Sequence, residues 1–328
     1  MRLTGAATAA AAAALSLAGC AGRQSALSPG GADAAALGTL FWVMLGGAVL
    51  LWLAMNGMFF YVTRVNASAM PRRLANGMVI GGGIVLPTIL LGALLGWGLS
   101  ILPDQRQPDD GLTIRVHGEQ WWWRVEYWPE GAAAPVVSAN EIRLPVGERV
   151  GFRLDSDQVI HSFWIPSLGG KMDMFPGRET YVSLEAEAPG VYRGQCAEFC
   201  GESHAWMAFE AVAMPPDAFD AWLDAEAGAA AAPEGGAAER GAALFAREGC
   251  GACHAIRGTG HVGQVGPDLT HVGGRRSIGA GRLAATPEAF AAWITHTDSL
   301  KPGVRMPSYD HLSDADAAAL AAYLAGLT

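Results

Sequence analysis

Two long stretches of this chain carry no charged residue, and they limit its fold more than any other feature. Between Asp33 and Arg64 the run LGTLFWVMLGGAVLLWLAMNGMFFYV is long enough to cross a hydrocarbon core of roughly 30 Å as a helix. A second uncharged run, LANGMVIGGGIVLPTILLGALLGWGLSILP, separates Arg73 from Asp104. Backbone in lipid must satisfy its own hydrogen bonds, so the two runs predict a two-helix transmembrane hairpin over residues 35–103. Arg64, Arg72 and Arg73 lie in the connection, which the positive-inside rule places in the cytoplasm. Both ends of the chain then face outward. Pro87 is tolerated in such a helix when neighbouring groups satisfy the freed carbonyl. Gly92 and Gly96 offer a small-xxx-small face for contact with a larger membrane partner.

The first nineteen residues, MRLTGAATAAAAAALSLAG, combine an early arginine with an alanine-rich run and read as a secretory signal peptide. They end in LAGC, which resembles the lipobox of bacterial lipoproteins. That resemblance implies lipid modification of Cys20, at the head of an outer segment over 20–34. A single lipid anchors weakly and would assist the helices.

Beyond the membrane the pattern shortens. From Gly111 to about Val212 the runs LTIRV, RVEYW, EIRLPVGERVGFRL and GVYRGQ are broken by Gly, Pro and Asp, as expected of a β-sandwich or barrel. PPDAFDAWLDAEAG has proline at a helix start and closes this unit, predicted over 104–225. Residues 226–237 are rich in Ala and Gly with little to bury, and read as a linker. A separate all-α unit is expected over 238–328, with Ser313 capping its last helix. The chain has a formal net charge of −9. An acidic middle unit suits a basic protein partner and disfavours nucleic acid.

Five cysteines must be assigned. Cys250 and Cys253 stand in CGACH, a C-x-x-C-H motif that attaches haem through two thioethers and puts His254 on the iron. Met306, in KPGVRMPSY, lies where a small c-type domain needs its second axial ligand. Cys196 and Cys200 fall in CAEFCGESHAWM, followed by His204 and Met207. An exported chain allows a disulfide between them, and a Cys/Cys/His set also suits zinc. Thiolate, imidazole and thioether together favour copper, and His161, in VIHSFWIP, offers a second imidazole.

The final unit, from GPDLTHVGGRRSIGAGRLAATPEAFAAWI to LSDADAAALAAYLAGL, resembles a class I cytochrome c. This resemblance implies that the Pro267 carbonyl accepts from the other ring nitrogen of His254. The spacing C-x3-C-x3-H-x2-M with an upstream HSFWIP resembles the CuA domain of cytochrome c oxidase subunit II. That family resemblance implies a cupredoxin-like Greek-key domain and a binuclear copper centre. Cys196 and Cys200 would be the bridges, His161 and His204 the imidazole ligands, Met207 a weak ligand, and the Glu198 carbonyl the other. The Glu198 carboxylate would face a magnesium shared with subunit I. Trp121, in GEQWWWRVEYW, matches the family's electron-entry tryptophan.

As a whole the chain resembles subunit II of a caa3-type oxidase. The implied function is electron entry, from a c-type cytochrome or the bc1 complex through haem c to CuA and on to subunit I. There oxygen reduction is coupled to proton translocation, so this chain has no catalytic residue of its own. The implied location is the bacterial inner membrane, with both outer domains periplasmic and with membrane lipid and other oxidase subunits as partners. Two alternatives are a CuA-containing nitric oxide reductase subunit and a free-standing membrane-tethered electron carrier. The chain departs from the family at LANGMV, where Asn76 marks a stretch without the usual carboxylate, and at Gln158, which replaces an aspartate beside Asp157.

Overall fold

The computed structural model describes residues 21–66, 70–102, 104–106 and 108–328. The expected signal peptide and Cys20 lie outside the described residues. Helix α1 spans Ala32–Val65 and helix α2 spans Arg72–Ile101, with wider π-helical turns at Tyr61–Val65 and Met78–Val85. Almost nothing of either helix is covered by the rest of the chain, as suits apolar surface that faces lipid or another subunit. A Cβ on Gly92 or Gly96 would meet nothing within 4 Å, so the small-residue face of α2 is not spent on α1. The foot of α1 is tied to the middle domain. Buried Asp33 pairs with Arg149 at 3.1 Å, and the Gly30 and Ala34 amides donate to the Ser167 and Leu168 carbonyls.

Ten strands build the middle domain. They are β1 Leu112–Glu119, β2 Trp122–Pro129, β3 Val136–Ala139, β4 Glu141–Pro145, β5 Arg149–Ser156, β6 His161–Trp164, β7 Met172–Met174, β8 Thr180–Glu185, β9 Gly190–Cys196 and β10 Ala208–Met214. One sheet has the order β3-β2-β1-β5-β8 and the other β4-β10-β9-β6-β7. β1 pairs with β5, and β4 with β10, in parallel, so both sheets are mixed and the chain crosses between them. Alternation turns Leu112, Ile114 and Val116 inward from β1, and Trp123, Val125 and Tyr127 from β2. The centre is aromatic: Phe163 stacks on Phe209 at 5.0 Å, and Trp123 meets both edge-on. A Cβ on Gly194 would fall 2.1 Å from the Phe209 ring, so only glycine admits that ring.

Helix α3, Pro216–Ala227, closes the sandwich by laying Phe219 and Trp222 on Tyr127. After it come α4 Gly236–Arg247, α5 Pro287–Thr295 and α6 Asp314–Gly326. The side chains of Thr286 and Ser313 cap α5 and α6 by accepting from Ala289 and Asp316 amides. The third domain is helical apart from two ladders of two residues per strand. Its helices α4 and α6 cross so closely that a Cβ on Gly241 would stand 2.1 Å from the Ala319 carbonyl oxygen. Overpacking against backbone is not relieved by a rotamer change. Gly241→Ala should therefore destabilise this domain by about 1–3 kcal/mol. Thermal unfolding followed by far-UV circular dichroism is the measurement, and an unchanged midpoint would mean that the crossing has room to spare.

The helical domain is docked on the sandwich. Arg276 donates from its backbone to Glu141 and from Nε to Glu210, both at 2.8 Å. Arg257 Nη1 donates to the Val137 carbonyl at 3.0 Å, and the Ala208 amide to the Ala280 carbonyl at 3.0 Å.

Candidate metal and haem centres

Two sheet neighbours and one loop assemble the thiol cluster. The antiparallel register of β6 with β9 pairs Phe163 with Cys196, which brings His161 beside the end of β9. The chain then turns: Cys196 N donates to the Met207 carbonyl, Ala197 N to the Ser162 carbonyl, and His204 N to the Gly201 carbonyl. A short 3-10 turn, His204–Trp206, places His204 and Met207 over Cys200. The sulfurs of Cys196 and Cys200 are 3.7 Å apart, far beyond a disulfide bond of about 2.05 Å. His161 Nδ1 lies 3.7 Å from Cys196 Sγ, and His204 Nδ1 lies 3.5 Å from Cys200 Sγ. Met207 Sδ is 3.9 Å from Cys200 Sγ, and the Glu198 carbonyl oxygen is 3.1 Å from Cys196 Sγ. His161, Cys196 and Cys200 are buried with ligand atoms within 4.8 Å of one another.

The electrostatics of the pair are asymmetric without a cation. The Cys200 thiol donates to Cys196 and, with His161, holds the Cys196 pKa well below the usual thiol range. Cys200 is pushed up, first by that same hydrogen bond and then by burial and the neighbouring charge. A bound metal cation reverses the second effect, because coordinated thiols are deprotonated outright. Sulfur, imidazole and thioether donors fit copper better than a hard cation.

The Glu198 carboxylate is exposed, 3.9 Å from Lys171, which bonds Asp173 more closely. Trp121 is buried. Its indole Nε1 donates to the Cys200 carbonyl at 3.0 Å, so the residue expected from sequence as the electron-entry point lies directly against the thiol loop. A second polar group, His117, Glu119 and Asp157, is internally paired: His117 bonds Asp155 and Asp157, and Glu119 bonds Arg124. Donation to the Asp155 carboxylate raises the His117 pKa. Asp157 thus has a histidine partner, beside the departure at Gln158.

In the helical domain, a 3-10 turn Cys250–Ala252 leads into Cys253 and His254. His254 Nδ1 is 2.7 Å from the Pro267 carbonyl oxygen, which leaves Nε2 for a ligand. A Cβ on Gly266 would stand 2.5 Å from the His254 ring, so that wall is backbone only. An apolar cavity is lined by Cys250, Cys253, His254 and Met306, and by Trp121 at its edge toward the sandwich. Arg275 lines it too, is buried, donates Nη2 to the Asp268 carbonyl, and leaves Nε without a partner. A haem offers a flat apolar body with anionic propionates, so the cavity and the unmatched Nε of Arg275 both fit it. Sequence alone does not single out Arg275, because GGRRS resembles any solvated basic turn until its burial is known.

Comparison with known proteins finds matches to both outer domains. The family model described as cytochrome c oxidase subunit II, periplasmic domain, matches residues 128–213, and that described as cytochrome c matches 238–328. Cytochrome c oxidase subunit 2 of Alkalihalophilus pseudofirmus is 42% identical over 225 residues, which cover 69% of this chain and 64% of that protein. The Bacillus subtilis protein of the same name is 33% identical over 254 residues, 74% of this chain and 70% of that protein. Among solved structures, the periplasmic domain of subunit II of cytochrome oxidase (CoxB) of Bradyrhizobium japonicum is 28% identical. It covers 37% of this chain and 95% of that one, with a TM-score of 0.32. Helices α1 and α2 anchor the chain in the membrane, and the domain that carries the thiol cluster is periplasmic, in line with the orientation set by Arg64, Arg72 and Arg73. A CuA-type cluster and a cytochrome-c-like domain in one polypeptide give it an electron-transfer role within an oxidoreductase complex. The chain belongs to the cytochrome c oxidase subunit II family.

Proposed function

We propose that this chain is the electron-entry subunit of a caa3-type oxidase, receiving electrons from a c-type cytochrome or the bc1 complex for oxygen reduction in subunit I. The observation that carries it is the coexistence, in one docked structure, of a thiol cluster with two imidazoles and a C-x-x-C-H cavity. Cys196, Cys200, His161, His204, Met207 and the Glu198 carbonyl would hold the binuclear copper. Cys250 and Cys253 would attach the haem, with His254 and Met306 as axial ligands and Arg275 on a propionate. Such groups supply one-electron carriers of fixed coordination. The chain's own residues keep those ligands in place: Pro267 orients His254, and the bonds from Cys196 and His204 shape the thiol loop.

The exposed Glu198 carboxylate suits a magnesium shared with subunit I, since that ion takes oxygen ligands and keeps waters. The domain division 104–225, 226–237 and 238–328 is proposed with it. Purified from membranes, the chain should carry two coppers for each covalent haem and an EPR hyperfine pattern from two equivalent copper nuclei. It should also bring a large haem-bearing subunit that consumes oxygen. Zinc in place of copper would defeat the CuA assignment, nitric oxide consumption would move the chain to the reductase class, and isolation alone would make it a tethered carrier.

A further inference from the structure

Lys301 opens the KPG sequence that leads the chain to Met306. Its side chain is buried between the helical domain and the sandwich, 1% exposed. The ammonium donates to the carbonyls of Trp121 at 2.7 Å, Trp206 at 2.9 Å and Gly279 at 2.7 Å. An ammonium has three donors and no acceptor, so these carbonyls satisfy it completely, whereas an unpaired buried charge is strongly unfavourable. Two of the carbonyls belong to the sandwich and one to the helical domain. Trp121 is the residue bonded to the Cys200 carbonyl, and Trp206 immediately precedes Met207.

The rest of the loop is held in the same seam. The Ser203 hydroxyl donates to the Pro302 carbonyl at 2.5 Å. Gly303 has φ +79, and a Cβ there would stand 2.8 Å from both the Glu202 carboxylate and the Trp121 ring. Arg282 stacks over Trp206 at 4.1 Å and donates to the Leu300 carbonyl.

We propose that Lys301 is a positioning residue for electron transfer between the two centres, a staple that holds the Met306 loop on Trp121 and fixes the haem cavity relative to the thiol cluster. This rests on the two-centre function proposed for the chain. Directional donation to three carbonyls suits the task better than an apolar contact, because a shifted geometry that kept Lys301 in the seam would leave its donors without acceptors. Misplacement by about 1 Å of groups that must be held in register can slow a reaction on the order of a hundredfold.

The test uses the full chain loaded with copper and haem, comparing wild type with Lys301→Met. After photoreduction of the haem, transfer to copper should slow by about tenfold or more. Copper reduction by a small ruthenium complex should be unchanged, as should copper and haem content, while amide exchange around Trp121 and Trp206 should rise. Unchanged transfer with unchanged exchange would overturn the staple. Slower reduction by the small complex as well would also overturn it, by showing damage to the copper site. Should Lys301→Met fail to fold, Lys301→Gln, with two N–H donors, carries the same comparison. A wild-type chain that binds no copper pair would instead sink the two-centre function, whatever Lys301 does.

Discussion

Replacing Cys200 by serine should empty the copper site and leave the haem in place. Cys200 sits among three other donors of the cluster, 3.7 Å from Cys196 Sγ, 3.5 Å from His204 Nδ1 and 3.9 Å from Met207 Sδ. A serine hydroxyl is nearly the same shape, so the loop held by the Cys196, Ala197 and His204 amides should keep its fold. Its chemistry differs. The hydroxyl neither ionises in this range nor offers the soft sulfur that copper selects. Loss of a partner in the outer shell of a metal site already lowers affinity by about 10–100-fold, so loss of a bridging ligand should exceed about 100-fold. The EPR signal of the copper pair should vanish and the copper-to-haem ratio should collapse. The haem absorbance should stay, because Cys250, Cys253 and His254 belong to another domain. A copper-pair signal that survives in Cys200→Ser would remove Cys200 from the bridge.

The residues that were readable from sequence are those whose partners lie within one turn of chain. Cys196, Cys200, His204 and Met207 share a single loop, so their spacing shows their nearness, whereas the ligand set is what the resemblance to the CuA domain implies. Cys250, Cys253 and His254 do so again. The hairpin was readable because about thirty uncharged residues admit few other fates. His161 is different. It reaches the cluster only through the register of β6 with β9, and a run of alternating apolar residues does not say which strands pair. The parallel pairings of β1 with β5 and β4 with β10 were hidden for the same reason.

Least visible were the residues that join the domains. An Ala/Gly-rich stretch announces a boundary but not whether the domains beyond it touch. Lys301 and Arg275 look in sequence like ordinary surface cations. Their roles arise only when two separately folded surfaces enclose the one and a cavity wall encloses the other. The glycines divide in the same way. Gly201 has φ +116, a conformation that suits glycine, and its closeness to the Trp121 ring, 2.9 Å for an added Cβ, is a tertiary fact.

Met306→Ala should lower the haem midpoint potential without releasing the haem. The attachment proposed through Cys250 and Cys253 would be covalent, and His254 stays oriented by the Pro267 carbonyl, so the His254 face is untouched. Methionine opposite histidine raises the potential of a c-type haem, and axial ligand choice spans about 0.8 V across haem proteins. A fall on the order of 100 mV is expected, which at about 59 mV per tenfold for one electron is about fifty-fold in the equilibrium for accepting an electron from an external donor. The loop itself should remain docked, because Lys301, Pro302 and Gly303 make its contacts with the sandwich. Copper content and the copper-pair EPR signal should therefore match wild type. Spectroelectrochemical titration of the full chain decides the matter: a wild-type midpoint in Met306→Ala would show that another group binds the iron. A lost copper signal would show instead that the loop had left the sandwich, so that the change in potential was no longer local to the haem.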